Sequence, residues 1–291
     1  MVAAQTVEPL SAGLGLPIIC ADREQDIAVD ITSKESVERF FGENSDKFQH
    51  LVLFAGFTNV DEAEKQRGDK DGTCWQVNVK GVKNIVDACR KFQKKLIFIS
   101  TDFVFDGTSG PYSEDDVPGP DLNRVGWYGI TKIEGEKYIR ENLDAGDILI
   151  LRISYPYSGH DVGKEDFLIK ILNLYKTGKL YPMYADQTFT PTYIPDVAPA
   201  ILALLAKGGN GVYHLASPQT TTPYEFAKYL LEKYEGREVI VQKGSLQNQL
   251  KEQKAVPRPL LGGLKTKKIE TIFTPSSWHE GIDKALSIWL K

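Results

Sequence analysis

Short continuous apolar runs alternate with longer amphipathic stretches through the first half of the chain. Strands are predicted over residues 17–21, 27–30, 51–55, 96–100 and 148–152. Several of these runs have no polar alternation, which is typical of strands buried on both faces of a parallel sheet. The stretches between them carry apolar residues at helical spacing, as in residues 73–92. This alternation predicts βαβ units and therefore an α/β fold with a doubly wound, Rossmann-like parallel sheet.

The pattern changes after Arg152, where proline, tyrosine and glycine become more frequent and the connections lengthen. Helices are predicted over residues 164–177, 195–207, 223–234 and 278–290. The third begins with a capping box and a proline at the first helical position, Thr222-Pro223-Tyr224-Glu225. We therefore predict a nucleotide-binding domain over residues 1–153 and a smaller, mainly substrate-binding α/β domain over residues 154–291. Within the second range, the segment around residues 189–212 is predicted to return to the nucleotide-binding domain.

The beginning of the chain departs from the usual order of a doubly wound nucleotide-binding domain, which is a strand, a glycine-rich turn and a helix. Residues 1–14 predict a helix that Pro9 weakens or ends early, and nothing strand-like precedes it. Gly13 and Gly15 predict a turn that ends this helix, because the third glycine of the phosphate-binding fingerprint is absent. We expect the first strand and its turn to be missing because the chain is truncated; a degenerate nucleotide site, or a poor strand over residues 2–7, would be the alternatives.

Composition and charge narrow the class of protein. The 291 residues are 42% apolar and 25% charged, which permits a sizeable core and excludes a disordered or fibrous chain. The net charge of −4 argues against a nucleic-acid partner, and no apolar run reaches the roughly 20 residues of a membrane helix. Three scattered cysteines, four scattered histidines and the lack of a signal-peptide pattern predict a cytoplasmic protein without a disulfide framework or a metal site.

The most informative stretch is residues 100–137. Ser100 and Thr101 stand at the end of a predicted buried strand, the edge that borders the ligand crevice in open α/β sheets. Tyr128 and Lys132 are four residues apart at a predicted helix start, so they share one face of the helix. A lysine cation lowers the pKa of a neighbouring phenol, which can then exchange a proton with a carbonyl or alcohol oxygen that the Thr101 hydroxyl orients. These residues suit hydride transfer with a nicotinamide coenzyme.

A Tyr-x-x-x-Lys pair is a weak signal by itself, because an amphipathic helix with an exposed lysine has the same pattern. The hydroxyl-bearing strand end upstream favours the catalytic interpretation. Glu134 and Glu136, in the same helix, are expected to be exposed, and His214 is expected to be a structural histidine in a strand.

The choice between NADH and NADPH stays open. Asp22 would favour the free ribose hydroxyl of NADH, whereas Arg23 would favour the 2′-phosphate of NADPH.

Several blocks, taken in order, resemble the extended short-chain dehydrogenase/reductase superfamily and, within it, the dTDP-4-dehydrorhamnose reductase family. The resemblance runs from about residue 17 to the C-terminus. The catalytic blocks match closely, and they read Ser100-Thr101-Asp102-Phe103-Val104-Phe105-Asp106-Gly107 and Tyr128-Gly129-Ile130-Thr131-Lys132-Ile133-Glu134-Gly135-Glu136. The other matching blocks are residues 30–32, 55–64, 77–82, 151–155, 186–193 and 211–215, with Arg258-Pro259 and Trp278. Jointly these blocks are specific, whereas singly only the first catalytic block is.

The resemblance implies a role for each matching residue. Catalysis would fall to Thr101, Tyr128 and Lys132, and the last two would also hold the coenzyme. With Asp22 and Arg23, the other coenzyme-binding residues would be Asp30 and Ile31 beside the adenine, and Gly56, Phe57 and Thr58 along the groove. The residues that approach the sugar nucleotide would be Val60, Thr101, Asp102 and Tyr155. Tyr155 stands where a tryptophan is typical of the reductases, which leaves the exact sugar open.

The resemblance implies NADPH- or NADH-dependent reduction of a 4-keto-6-deoxy sugar nucleotide. The missing glycine turn supports a second interpretation, a non-catalytic subunit with a synthetase partner, because the regulatory beta subunit of methionine adenosyltransferase is similar to the same reductases. A homodimer is a further expected assembly. A sugar-nucleotide epimerase or 4,6-dehydratase is a third interpretation, but a dehydratase needs a carboxylate next to the Thr-Asp pair, where this chain has Phe103.

Overall fold

The computed structural model describes residues 1–15, 17–23, 26–160, 162–163, 165–252 and 255–289. The strands are β1 (His50–Leu53), β2 (Lys95–Thr101), β3 (Ile148–Ile153), β4 (Met183–Tyr184), β5 (Gly211–His214) and β6 (Lys243–Gly244). The helices are α1 (Val2–Leu14), α2 (Lys34–Asn44), α3 (Val60–Glu64), α4 (Thr73–Trp75), α5 (Val82–Phe92), α6 (Trp127–Asn142), α7 (Phe167–Lys176), α8 (Val197–Ala206), α9 (Pro223–Glu235), α10 (Leu246–Lys251), α11 (Lys267–Glu270) and α12 (Trp278–Trp289). A π-helical turn, Gln76–Gly81, joins α4 to α5. The predicted helix limits at residues 164 and 290 lie outside the described residues.

The main sheet is parallel throughout and has the order β1-β2-β3-β5, which confirms the predicted fold class. All six residues of β3 are buried, in agreement with its continuous apolar sequence. Helices α2 and α5 cover one face of the sheet through a core that includes Phe41 and Val86. Helices α1 and α8 cover the other face through Leu10 and Ile201. The sheet therefore lies between two helical layers, as in a doubly wound domain.

Helix α1 continues through Pro9, contrary to the prediction that this proline ends it early. Pro9 is exposed, and the helix persists because its other side packs on α8, where a Cβ atom on Gly13 would lie 2.2 Å from Leu202 Cδ1. Gly15 ends the helix with a φ of 62°, which is the turn that the sequence predicts.

The strands predicted over residues 17–21 and 27–30 do not form, and a single bridge between Asp22 and Ala28 takes their place. Ile18 and Ile19 still pack against the cores on opposite faces of the sheet. The apolar pattern thus predicts burial correctly, but a strand also requires a neighbour, and residues 1–15, 17–23 and 26–49 contain no strand beside β1. The glycine-rich turn expected to be missing is likewise absent from these residues.

Residues after β3 build a second apolar core around Tyr157, Phe226 and Trp278, next to the short parallel pair β4–β6. The segment after α10 then contacts both halves of the chain, because single bridges join Leu264 to Tyr112 in the first half and Leu261 to Thr188 in the second. No helix among the described residues combines the length and the apolar character needed to span a bilayer.

Helix α6 lies unusually close to the end of β2. A Cβ atom at Gly129 would be 2.1 Å from the carbonyl oxygen of Phe103 and 2.7 Å from Val125 Cγ1. Glycine is therefore required at this position by packing, although alanine is the better helix former.

This packing predicts opposite effects for two glycine-to-alanine substitutions in helices. Gly129→Ala should destabilise the protein by about 1–3 kcal/mol, because the new methyl group meets a backbone atom. Gly42→Ala in α2, where the methyl group would meet nothing within 4 Å, should stabilise it by about 0.5–1 kcal/mol. Urea unfolding of both variants measures the difference, and equal stabilities would contradict the close contact.

Candidate active site

The start of helix α6 is fixed from outside the helix. Its N-cap residue, Gly126, has no side chain, and the Glu64 carboxylate accepts a 2.8 Å hydrogen bond from the amide of Trp127 instead. Arg67 pairs with Glu64 and donates to the carbonyl of Val125 at 2.7 Å. Helix α3 and the residues after it thereby position the turn that carries Tyr128, a role of Glu64 that the sequence did not reveal.

Thr101 and Tyr128 meet at the carboxyl end of β2. Thr101 is buried and accepts a hydrogen bond from the amide of Phe103 at 3.2 Å, while Tyr128 is half-buried with its ring edge-on to Phe103. Burial raises the pKa of the Tyr128 phenol above its ordinary value, a hydrogen bond with Thr101 opposes this shift, and the Asp102 charge adds to it. The sequence predicts a lowered pKa; that prediction is wrong in direction, because burial of the phenol dominates.

Lys132 is buried one turn after Tyr128. Its ammonium donates to the carbonyl of Ile99 at 2.9 Å and lies 3.9 Å from the centre of the Phe98 ring. Burial lowers the pKa of Lys132 to about 7, against an opposing contribution from Glu136. A lysine in this state can both hold a charge and give up a proton near neutral pH.

The loop after β1 is tied to helix α6 by Asn78. The Asn78 side chain accepts from the amide of Phe57 at 2.8 Å and donates to the carbonyl of the same residue at 3.0 Å. It also donates to the Thr131 hydroxyl at 3.0 Å. A Cβ atom on Gly56 would lie 3.4 Å from Asn78 Oδ1. This arrangement holds the predicted groove residues Gly56 and Phe57 against the helix that carries Tyr128 and Lys132.

The residues predicted to bind the adenosine end form a second cluster. Asp30 accepts from the amide and the hydroxyl of Thr32 at 2.9 and 2.7 Å, and these hydrogen bonds lower its pKa. Arg23 forms a 3.6 Å ion pair with Asp30, with side-chain exposures of 70% and 35%. Asn84 donates to the carbonyl of Ile31 at 2.8 Å, which anchors this cluster to α5. Asp22 is exposed beside Arg23, whose amide donates to its carboxylate at 2.5 Å.

The predicted substrate residues line the other side of Thr101. The buried Asp102 carboxylate accepts from the Ser154 hydroxyl at 2.7 Å and from Thr101 at 3.3 Å. Tyr155 has a φ of 39°, which is strained for a bulky residue, and its ring lies 5.9 Å from that of Phe103. Gln187, which the sequence did not single out, donates to the Tyr155 hydroxyl at 3.0 Å. Tyr155 is thereby held against the residues that surround Tyr128.

Val60 is the first residue of α3. The next residue, Asp61, forms a 2.7 Å ion pair with Arg258 from the returning segment. Thr58 lies in the preceding loop, between the groove residues and Val60. The structure thus brings Thr101, Asp102, Tyr128 and Tyr155 together through direct or shared contacts. Lys132 lies one helical turn from Tyr128 and bonds to Ile99 on β2. Asp22, Arg23, Asp30 and Ile31 form the separate cluster described above.

Both clusters fit the ends of a nicotinamide dinucleotide. Lys132 and Tyr128 offer polar groups for the nicotinamide ribose, and the partly exposed Asp30 and the exposed Arg23 offer an acceptor and donors for the adenosine ribose or its phosphate. Residues 1–15, 17–23 and 26–160 contain no glycine-rich turn that could hold the pyrophosphate of the coenzyme. Gly13 and Gly15 do not form one, because they lie at the C-terminal end of α1. No three His, Cys, Asp or Glu side chains of the described residues are close enough to hold a metal ion.

A parallel sheet with a strand-end threonine next to a Tyr-x-x-x-Lys helix defines a nicotinamide-dependent oxidoreductase of the Rossmann type. Comparison with known proteins agrees with this class. The family model for the RmlD substrate binding domain matches residues 5–290, and the chain belongs to that family.

Individual relatives point the same way. The chain is 31% identical over 220 residues to dTDP-4-keto-6-deoxy-D-glucose reductase from Streptomyces niveus, a match that covers 75% of this chain and 70% of the relative. The crystal structure of a dTDP-4-dehydrorhamnose reductase from Clostridium acetobutylicum is similar with a TM-score of 0.83 and 25% identity, over 100% of this chain and 96% of that one. A dTDP-4-dehydrorhamnose reductase from Bacillus anthracis in complex with NADP gives a TM-score of 0.77 and 27% identity, over 89% and 87% of the two chains.

The environment of Asp102 predicts a pH-dependent stability. Burial raises the pKa of this carboxyl to about 6, against opposing hydrogen bonds from Ser154 and Thr101, whereas in the unfolded chain it is about 4. The folded state therefore binds the extra proton, and the stabilisation is complete below about pH 4 and lost as the pH rises through about 6. Relative to wild type, Asp102→Asn should gain about 2–3 kcal/mol between pH 4 and pH 7.

Urea unfolding at a series of pH values measures this difference. Asp115→Asn, which removes an exposed carboxyl from the same loop region, is the matched control and should show no comparable gain. A constant difference between Asp102→Asn and wild type would contradict the assigned environment.

Proposed function

We propose that this chain reduces the 4-keto group of a 4-keto-6-deoxy sugar nucleotide with NADPH or NADH. The observation that carries the proposal is the contact of Tyr128 with Thr101 at the carboxyl end of β2, with Lys132 bonded to the same strand one helical turn away. The names of the similar reductases support the choice of substrate class. In this proposal, residues 1–153 bind the coenzyme and residues 154–291 mainly bind the sugar nucleotide.

The keto oxygen would lie between the Thr101 hydroxyl and the Tyr128 phenol. Thr101 orients this oxygen with a hydrogen bond, and Tyr128 donates its proton as the carbon–oxygen double bond becomes an alcohol. The nicotinamide, when bound, supplies the hydride that adds to the keto carbon. Because burial raises the pKa of Tyr128, the phenol stays protonated at neutral pH and can act as the acid.

Lys132 would replace the proton that Tyr128 gives up. Its pKa of about 7 allows the ammonium to release a proton near neutral pH. Its position, one turn from Tyr128 and bonded to the carbonyl of Ile99, also suits a hydrogen bond to the nicotinamide ribose. At the far end of the groove, Asp30 and Ile31 would flank the adenine, and Arg23 would pair with a 2′-phosphate.

On the substrate side, the Tyr155 ring and the Asp102 carboxyl would face the sugar, and Val60 would lie at the entrance. Ser154 donates to one Asp102 oxygen and Thr101 to the other, and each oxygen has a second lone pair that can accept a further hydrogen bond. A sugar hydroxyl is therefore the partner we assign to it.

A non-catalytic binding subunit, alone as a homodimer or with a synthetase partner, is the second candidate. The observation that favours it is the lack of a glycine-rich turn in residues 1–15, 17–23 and 26–160. Absent coenzyme binding and absent turnover, together with capture of a methionine adenosyltransferase, would favour this candidate over the reductase.

The decisive test compares two tyrosine variants of one helix. Tyr128→Phe should lower the rate of NADPH oxidation with dTDP-4-dehydrorhamnose at least about 100-fold, because the proton donor is lost. Tyr138→Phe is the matched control: Tyr138 lies in the same helix and donates to Asp87 at 2.9 Å, remote from Thr101 in the contacts it makes. Its activity should stay close to that of wild type.

The rates are followed by the loss of NADPH absorbance, with product identity checked by NMR. Equal rates for Tyr128→Phe and wild type would contradict the mechanism. An inverted or dehydrated sugar in the product would instead indicate an epimerase or a dehydratase.

A further inference from the structure

A completely buried carboxylate lies beneath the site. Glu136 accepts from the Ser100 hydroxyl at 2.6 Å and from Arg152 at 2.9 and 2.7 Å, and it also pairs with Arg140. The side chains of Glu136 and Arg152 are both fully inaccessible to solvent. The sequence predicts an exposed Glu136, so this prediction is wrong; the helix face that carries it turns inward to meet Arg152.

The network connects β2, β3 and α6, the elements that carry or directly precede the predicted catalytic residues, Asp102 and Tyr155. Ser100 directly precedes Thr101 on β2, and Arg152 lies two residues before Ser154, which binds Asp102. Glu136 itself lies one turn after Lys132 on α6. One carboxylate thus bonds to both strand ends from the helix that carries Tyr128 and Lys132.

We propose that Glu136 is a positioning residue that sets the placement of Thr101 relative to Lys132 and maintains the positive charge of Lys132. The kinetic part of this inference rests on the proposed function. The electrostatic part concerns the free protein and holds whether or not the chain turns over a sugar nucleotide.

The charge effect follows from the groups that face Lys132. On α6 this is Glu136, α4 contributes Cys74, and the described contacts with β2 are the Phe98 ring and the Ile99 carbonyl. Asp102 follows on the turn after β2, and Arg152 on β3 pairs with Glu136 rather than with the lysine. Glu136 is therefore the main group that offsets the burial of the ammonium. Burial raises the pKa of Glu136, but Arg152, Ser100 and Arg140 together outweigh this effect and lower the pKa, so Glu136 stays ionised.

The positional effect follows from the donors that Glu136 satisfies. Its two oxygens accept four hydrogen bonds, from Ser100, from two nitrogens of Arg152 and from Arg140. A glutamine would direct its amide N–H groups at one of these donors, so it would lose contacts as well as charge. Ser100→Ala removes a single hydrogen bond and leaves the ion pairs of Glu136 in place. This variant therefore tests the effect on the placement of Thr101 without a change in the charges near Lys132.

The experiment uses Glu136→Gln, Ser100→Ala and the control Glu134→Gln. Glu134 is partly exposed on the same helix and is not part of the network. Each variant is first checked for folding by thermal unfolding. The titration of Lys132 is then measured by the Cε chemical shift of ¹³C-lysine-labelled protein, assigned with Lys132→Arg, and kcat and KM are measured across pH.

In Glu136→Gln the Lys132 midpoint and the alkaline limb of kcat/KM should both move about one pH unit lower, because the ammonium loses its counter-charge. In Ser100→Ala the midpoint should stay in place, while kcat falls about 10-fold with little change in KM. Glu134→Gln should match wild type in the Lys132 midpoint, in kcat and in KM.

An unmoved Lys132 midpoint in Glu136→Gln would overturn the proposal, since a purely structural role predicts that result. Full kcat in Ser100→Ala would overturn the positional part. If Glu136→Gln does not fold, Ser100→Ala still decides the positional part. A moved midpoint in a protein that has no reductase activity would support the charge effect and refute the proposed function.

Discussion

The close contact between helix α6 and the end of β2 is the constraint on which the rest of the site depends. No room exists for a side chain at Gly129, because the Phe103 carbonyl oxygen occupies the position of a Cβ atom. Tyr128, the preceding residue, is thereby brought next to Thr101, and Lys132 reaches the carbonyl of Ile99 on the same strand. The close approach of the two backbones at Gly129 thus sets how near Tyr128 and Lys132 lie to β2.

Such close packing buries polar groups, and each of them needs a partner. Glu136, Arg152 and Ser100 satisfy one another, and His214 from β5 contacts Arg152 at 3.3 Å. Burial, with the Arg152 charge, lowers the pKa of His214 to about 3, so this histidine stays neutral and does not compete with the arginine for Glu136. A buried ion pair contributes little net stability after desolvation, but it does penalise any other register of helix and strands. The network therefore accounts for the precision of the site better than for its stability.

The sequence predicted the parts of this structure that depend on local pattern. Strands β2 and β3 and the Tyr128–Lys132 helix follow from continuous apolar runs and from four-residue spacing. The sequence-based predictions failed where strand formation or burial depends on a residue or strand that is distant in the sequence. The runs at 17–21 and 27–30 form no strand without a neighbour, and Glu136 is buried because of Arg152, sixteen residues further along the chain. The direction of the Tyr128 pKa shift failed for the same reason, since burial is a property of the assembled fold.

The two perturbed pKa values define the protonation states from which the site would start. A phenol with a raised pKa is a weak acid that holds its proton at neutral pH, and a lysine with a pKa of about 7 readily gives its proton to a phenolate. Both properties suit donation of a proton to a substrate oxygen, which reduction of a ketone requires. The reverse step, oxidation of an alcohol, passes through the same transition state, so the two pKa values govern the pH dependence of each direction and not the direction itself. The burial that helix α6 imposes on Tyr128 and Lys132 therefore sets the pH dependence that the site would show.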